Sequence, residues 1–169
     1  MKIKSIISGI FLLSVFSYIS KAQPPVVPQP PAIPPGFDIV LPKKDVVGED
    51  PKDIPRYKSS VRISYEKNIY NSQENIRVSY YSKDDIDKIR KFYLDSMKTK
   101  NWKLVTEKAT SGFIYSNIEM KGSRTLEFKK ANCRQQYDCI PYVIITLTGY
   151  KINNKNYTKI DIDLTKKAD

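Results

Sequence analysis

The stretch KFYLDSMKTKNWKLV, residues 91–105, decides the fold. It carries the only tryptophan of the chain, Trp102, where a helical pattern gives way to a strand pattern. Upstream, Ile86, Ile89, Tyr93 and Met97 fall on one stripe at helical spacing, flanked by Phe92 and Leu94. Lys88, Lys91, Asp95 and Lys98 fill the opposite face. Ser82 followed by Asp85 reads as a capping box, and three aspartates sit in or near the first turn, where the helix dipole favours negative charge. Lys98 and Lys100 suit the last turn, and Asn101 can take the left-handed conformation that stops a helix. Trp102 and Leu104 then share one face of a strand.

Outward from that joint the pattern is strand-like. VRISYE (61–66) and NIRVSYY (75–81) alternate apolar and polar residues and predict a hairpin through KNIYNSQ. Beyond the helix, WKLVTE predicts a strand, and GFIYSNIEM and SRTLEFKK predict a hairpin turned by Lys121-Gly122-Ser123. YVIITLTGY (142–150) is apolar on both faces, as expected of a central strand. YTKIDIDL (157–164) alternates again after the turn NNKN. The expected order is β-β-α-β-β-β-β-β. It makes an α+β domain, an antiparallel sheet with one main helix packed on one face.

The N-terminus predicts export. MKIK is positive, IISGIFLLSVFSYIS is an apolar run too short for a comfortable membrane span, and SKA offers small residues for cleavage between Ala22 and Gln23. An uncleaved anchor is the alternative. No Cys follows the cut, so bacterial lipoprotein-type lipid attachment is not expected. Residues 23–36, QPPVVPQPPAIPPG, are half proline and predict an extended spacer of about 40 Å. The expected organisation is a signal peptide at 1–22, a proline-rich spacer at 23–52 and one domain at 53–169. The expected location is periplasmic or extracellular.

The chain of 169 residues carries a formal charge of +11 and no histidine. Losing the signal removes Lys2, Lys4 and Lys21 with no acid, which lowers the charge by three to +8. A basic exported protein meets lipid headgroups and acidic polysaccharides. Lysines scattered along the chain fit a purely solubilising role equally. Without histidine, Ser-His-Asp and Cys-His catalysis are excluded in their ordinary forms, and the commonest metal ligand is missing. No catalytic residue, cofactor or metal site is expected, and neither is a specific nucleic-acid partner.

Other motifs have plain explanations. Cys133 and Cys139 close a short loop and predict a disulfide in an exported protein. Ser64-x-x-Lys67 lies on a strand, where residues three apart face opposite ways. Asp84 to Asp87 lacks the glycine and distal glutamate of a calcium loop. The sequon at Asn156 matters only beside glycosylation machinery.

Strand parity places Arg62, Arg77, Tyr81, Lys103 and Lys129 on the sheet face away from the helix. Cations interleaved with tyrosine suit phosphates, sulfates or carboxylated sugars. Glu66, Glu107 and Glu127 share that parity, and cross-strand salt bridges are the alternative.

DIPRYKSSVRISY (53–65), followed by Phe92-Tyr93, Met97 and Trp102, resembles small uncharacterised bacterial exported domains, often lipoproteins. These open Asp-hydrophobic-Pro-x-Tyr and place a Trp just after their helix. Here Asn101 and Lys58-Ser59 stand where members often have Gly and Pro-Gly. The resemblance implies an envelope location and an α+β fold, with Tyr57, Tyr93 and Trp102 structural, and carries over no catalytic residues. The expected function is a non-enzymatic binding or assembly module of the envelope with a protein partner. The alternative is an accessory domain binding an acidic polysaccharide or anionic lipid headgroup.

Overall fold

The computed structural model describes residues 42–115, 118–131 and 140–168. The strands are β1 (Ser60–Tyr70), β2 (Gln73–Ser82), β3 (Trp102–Tyr115), β4 (Ile118–Lys130), β5 (Tyr142–Ile152) and β6 (Lys155–Lys167). The helix α1 (Ile86–Thr99) lies between β2 and β3. All pairs are antiparallel, in the order β1-β2-β6-β5-β4-β3.

This corrects the expected fold. Among the described residues there are six strands rather than seven, and they run so long that the sheet dominates. The single 14-residue helix is a minor part of it, so the α+β description built around helix packing does not hold. The cause lies at Lys121-Gly122-Ser123, which makes a bulge inside β4 and not a turn. Gly122 has φ 121°, and a β-carbon there would stand 2.7 Å from the Thr110 carbonyl oxygen. A β-carbon at Gly112 would collide with the Met120 carbonyl oxygen. These glycines let the two chains approach while the ladder continues.

Both tight turns have a chemical cause. Asn71-Ser72 and Asn153-Asn154 all have positive φ, the geometry of two-residue hairpins whose twist matches their strands. Asn tolerates that region better than most residues. Asn101 stops the helix in the same way, at φ 61°.

The helix start differs by one turn element from the capping box. Asp85 is the N-cap and accepts from the Asp87 amide. Ser82 instead takes the Asp84 amide, just before the helix. Ile89, Tyr93 and Met97 are wholly buried, in one cluster with Val78 and Tyr80 of β2, Ile160 and Ile162 of β6, Val143, Ile145 and Leu147 of β5, and Leu126 and Phe128 of β4. The helix therefore packs its apolar stripe against these strand residues. Register puts these strand residues opposite one another, rung by rung.

Residues 45–57 also pack on the sheet. The Val46 amide bonds the Arg62 carbonyl, and Ile54 and Tyr57 join the core. The expected spacer boundary at residue 52 falls inside this packed strap. The signal segment and the proline-rich stretch 23–36 lie outside the described residues, as do Cys133 and Cys139.

Candidate functional site

Each strand contributes alternate side chains to a helix side and an open side of the sheet. Four of the five residues expected on the open side are there: Arg77, Tyr81, Lys103 and Lys129. Arg62 is not. β1 bulges between Arg62 and Ser64, so Arg62 pairs with core-facing Tyr80 while Ser64 pairs with open-facing Ser79. A bulge adds one residue and reverses strand parity, which no alternation count across it preserves. Glu107 changes sides for the same reason. The β3 shift between Leu104 and Thr106 turns it to the helix side, where Arg90 holds it at 2.5 and 2.7 Å and keeps its carboxyl below the usual range.

Arg62 is 7% exposed and belongs to an ionic latch. Its guanidinium meets Asp50 at 2.5 Å, and its amide donates to Asp45. Arg56 donates to Asp45 at 2.7 Å and lies 5.1 Å above the Tyr80 ring. Tyr80 donates its hydroxyl to Asp50 at 2.9 Å. Burial and the Asp50 carboxylate push the Tyr80 phenol up, while the Arg56 hydrogen bond brings Asp45 down to about 2. Two arginines and two aspartates thus clamp the strap to β1 and β2.

The three residues expected to be structural are core residues. Tyr57 stacks edge-on against Phe92 and donates to Asp84 at 2.7 Å. Lys88 first, then Tyr57, lowers the Asp84 carboxyl. Trp102 is 3% exposed, donates its indole N–H to the Asp53 carbonyl at 3.3 Å, and carries the Lys130 ammonium 4.4 Å above its ring. Tyr93 is fully buried. Its hydroxyl is the one buried side-chain polar atom without a hydrogen-bond partner among the described residues. The Tyr57 backbone lies near it, outside hydrogen-bonding geometry.

The open side is built in rungs. One rung runs Glu66, Arg77, Asp163, Ile144, Glu127 and Thr106 across all six strands. The next runs Asn68, Asn75, Thr165, Tyr142, Lys129 and Lys103. Charges on the first rung are matched, with Arg77 2.6 Å from Asp163 and 3.9 Å from Glu66, while on the second Lys129 stands opposite Lys103 and lies 3.9 Å from Glu127 of the first. Further along, Tyr81 pairs with Lys159. Burial lowers the Lys159 ammonium, but the hydrogen bond and charge of Asp161, with Tyr81 and Tyr150, together raise it.

Between the first four strands of both rungs the face is indented by a depression of about 380 Å³. Asn68 donates to Glu66 at 2.7 Å on one side, and Thr165 donates to the Asn75 carbonyl at 2.8 Å on the other. Tyr142 and Ile144 line the β5 side. Sequence reading missed Asn68, Asn75, Tyr142 and Asp163. Outward parity in TKIDIDL pointed to Asp163, but grouping it with the others needed the register. A second depression of about 290 Å³ lies beside the strap, lined by residues including Asp50, Lys52, Tyr65 and Glu74. Among the described residues no three His, Cys, Asp or Glu side chains are grouped to hold a metal ion.

No curated protein and no solved structure matches the chain. Residues 62–135, which take in most of β1, all of β2, α1, β3 and β4, are similar to the family described as START domain-like.

Proposed function

We propose that this chain is an exported, non-enzymatic binding module of the bacterial envelope that meets its partner through the open side of its sheet. One observation carries the reading. The helix side is filled by α1 and latched by the strap, whereas the open side presents aligned rungs of polar and aromatic side chains around a depression of about 380 Å³. Depressions of that size lie in the range of small-ligand sites. The START domain-like similarity over 62–135 is in keeping with a binding role. The N-terminal signal and proline-rich spacer support a domain held away from a membrane.

The test is site-specific photo-crosslinking with the full-length chain in an exporting bacterium. A photoreactive residue at Asn68 or Lys108 samples the open side, and one at Lys91 or Asp95 samples the outer face of α1. Adducts are expected from the open side. Adducts confined to the α1 positions would sink the reading. N-terminal sequencing of the exported product should begin at Gln23.

A further inference from the structure

We propose that the open-side depression is a subsite for an uncharged oligosaccharide. The inference rests on the open side being the contact surface and names what occupies it.

Charge comes first. Arg77 is held between Asp163 and Glu66, so its positive charge is already answered by two carboxylates. A polyanion entering here would face a surplus of negative charge and would have to break the Arg77–Asp163 contact. The site therefore selects against the anionic polymers that the overall basic charge attracts.

Unspent hydrogen-bonding capacity comes second, and it sits on neutral groups. Asn68 uses its N–H group on Glu66, which leaves its carbonyl oxygen as an acceptor. Asn75 uses its carbonyl for Thr165, which leaves its N–H donors. The Tyr142 hydroxyl has no hydrogen-bond partner among the described residues. An acceptor, a pair of donors and a group that does both thus line one concavity. Sugar hydroxyls, each a donor and an acceptor, match that set, while a phosphate or sulfate offers acceptors only.

The apolar part comes third. Tyr142 and Ile144 are half-buried neighbours on β5 at the side of the depression. An aromatic ring there provides a platform for the C–H face of a sugar ring, and burying that face adds a hydrophobic contribution. The two rungs run across the strands, so an extended saccharide lies along Asn68, Asn75, Thr165 and Tyr142, crossing β1, β2, β6 and β5 in turn.

The experiment titrates the full-length mature chain with cellotetraose, maltotetraose and chitotetraose as uncharged probes, and with a heparin-derived tetrasaccharide as the anionic one. Amide chemical shifts report the location. At least one uncharged probe should bind with a Kd of about 0.1–1 mM and shift residues around Tyr142 and Asn75. Tyr142→Ala should weaken it at least about tenfold, and exposed Asn68→Ala, which cannot unfold the core, several-fold. Tighter binding of the heparin fragment would overturn the proposal. So would silence from all three uncharged probes at about 10 mM, or affinity unchanged in both variants. Any of these results with open-side crosslinks intact discards the saccharide and keeps the contact surface. Crosslinks confined to α1 discard both.

Discussion

One carboxylate oxygen, Oδ1 of Asp50, serves both Arg62 and Tyr80: the guanidinium meets it at 2.5 Å and the phenol donates to it at 2.9 Å. Arg62 and Tyr80 are cross-strand partners. The strap thus reaches the sheet where a charge and a hydroxyl would otherwise be buried unsatisfied.

Removing that oxygen should therefore be costly. Asp50→Ala is expected to destabilise by about 2 kcal/mol, a value moderated by the partial exposure of Asp50. Arg77→Ala breaks a contact of 2.6 Å that is open to water and should cost far less than Asp50→Ala. Urea denaturation of the two variants measures the difference. Equal losses would mean that the latch adds nothing beyond a surface ion pair.

Trp102→Ala is expected to cost about 3–5 kcal/mol, since the ring is a buried core member. The residue is the only tryptophan, so its fluorescence reports directly on this joint. Emission in the native chain should be blue-shifted and resist iodide quenching, and should move red on unfolding. Ready quenching in the folded chain would show an exposed ring.

Tyr93→Phe should be neutral or stabilising by up to about 1 kcal/mol. The hydroxyl it removes is buried without a partner and contributes a desolvation cost with no hydrogen bond to offset it. A clear drop in Tm would reveal a bond that the folded chain does make there.

Acid should open the strap. The folded Asp45 carboxyl lies at about 2, below its ordinary value of 3.8, because Arg56 donates to it. A depressed carboxylate stabilises the fold above its unfolded pKa, and that contribution is lost as pH falls through the folded value. Unfolding free energy should thus decline from about pH 5 toward pH 2. Asp84 and Glu107, also lowered, add to the same slope. Asp45→Asn should flatten the profile in this window. An unchanged profile would remove Asp45 from the latch.

Several local elements, though not the fold class, were legible without coordinates, because short-range chemistry sets them. The stripe of Ile89, Tyr93 and Met97, the asparagine at 101 and the asparagines before β6 each act within a few residues, so a local pattern suffices. The same reasoning failed at Gly122. A glycine in a polar triplet looks the same whether it turns the chain or bulges a strand, and the choice rests on Thr110 and Gly112 across the ladder. The seventh strand disappeared with that turn.

The candidate site divides in the same way. Alternation along single strands was enough to put Arg77, Tyr81, Lys103 and Lys129 on one side, since nothing interrupts their parity. It misplaced Arg62 and Glu107, each separated from its assumed phase by an added residue in the strand. It also could not assemble Asn68, Asn75, Asp163 and Tyr142, which come from four strands spread over 96 residues of sequence. Periodicity states which way a side chain points. Which other side chains stand beside it depends on strand order, register and bulges, and those are settled by packing the whole sheet against its helix and strap.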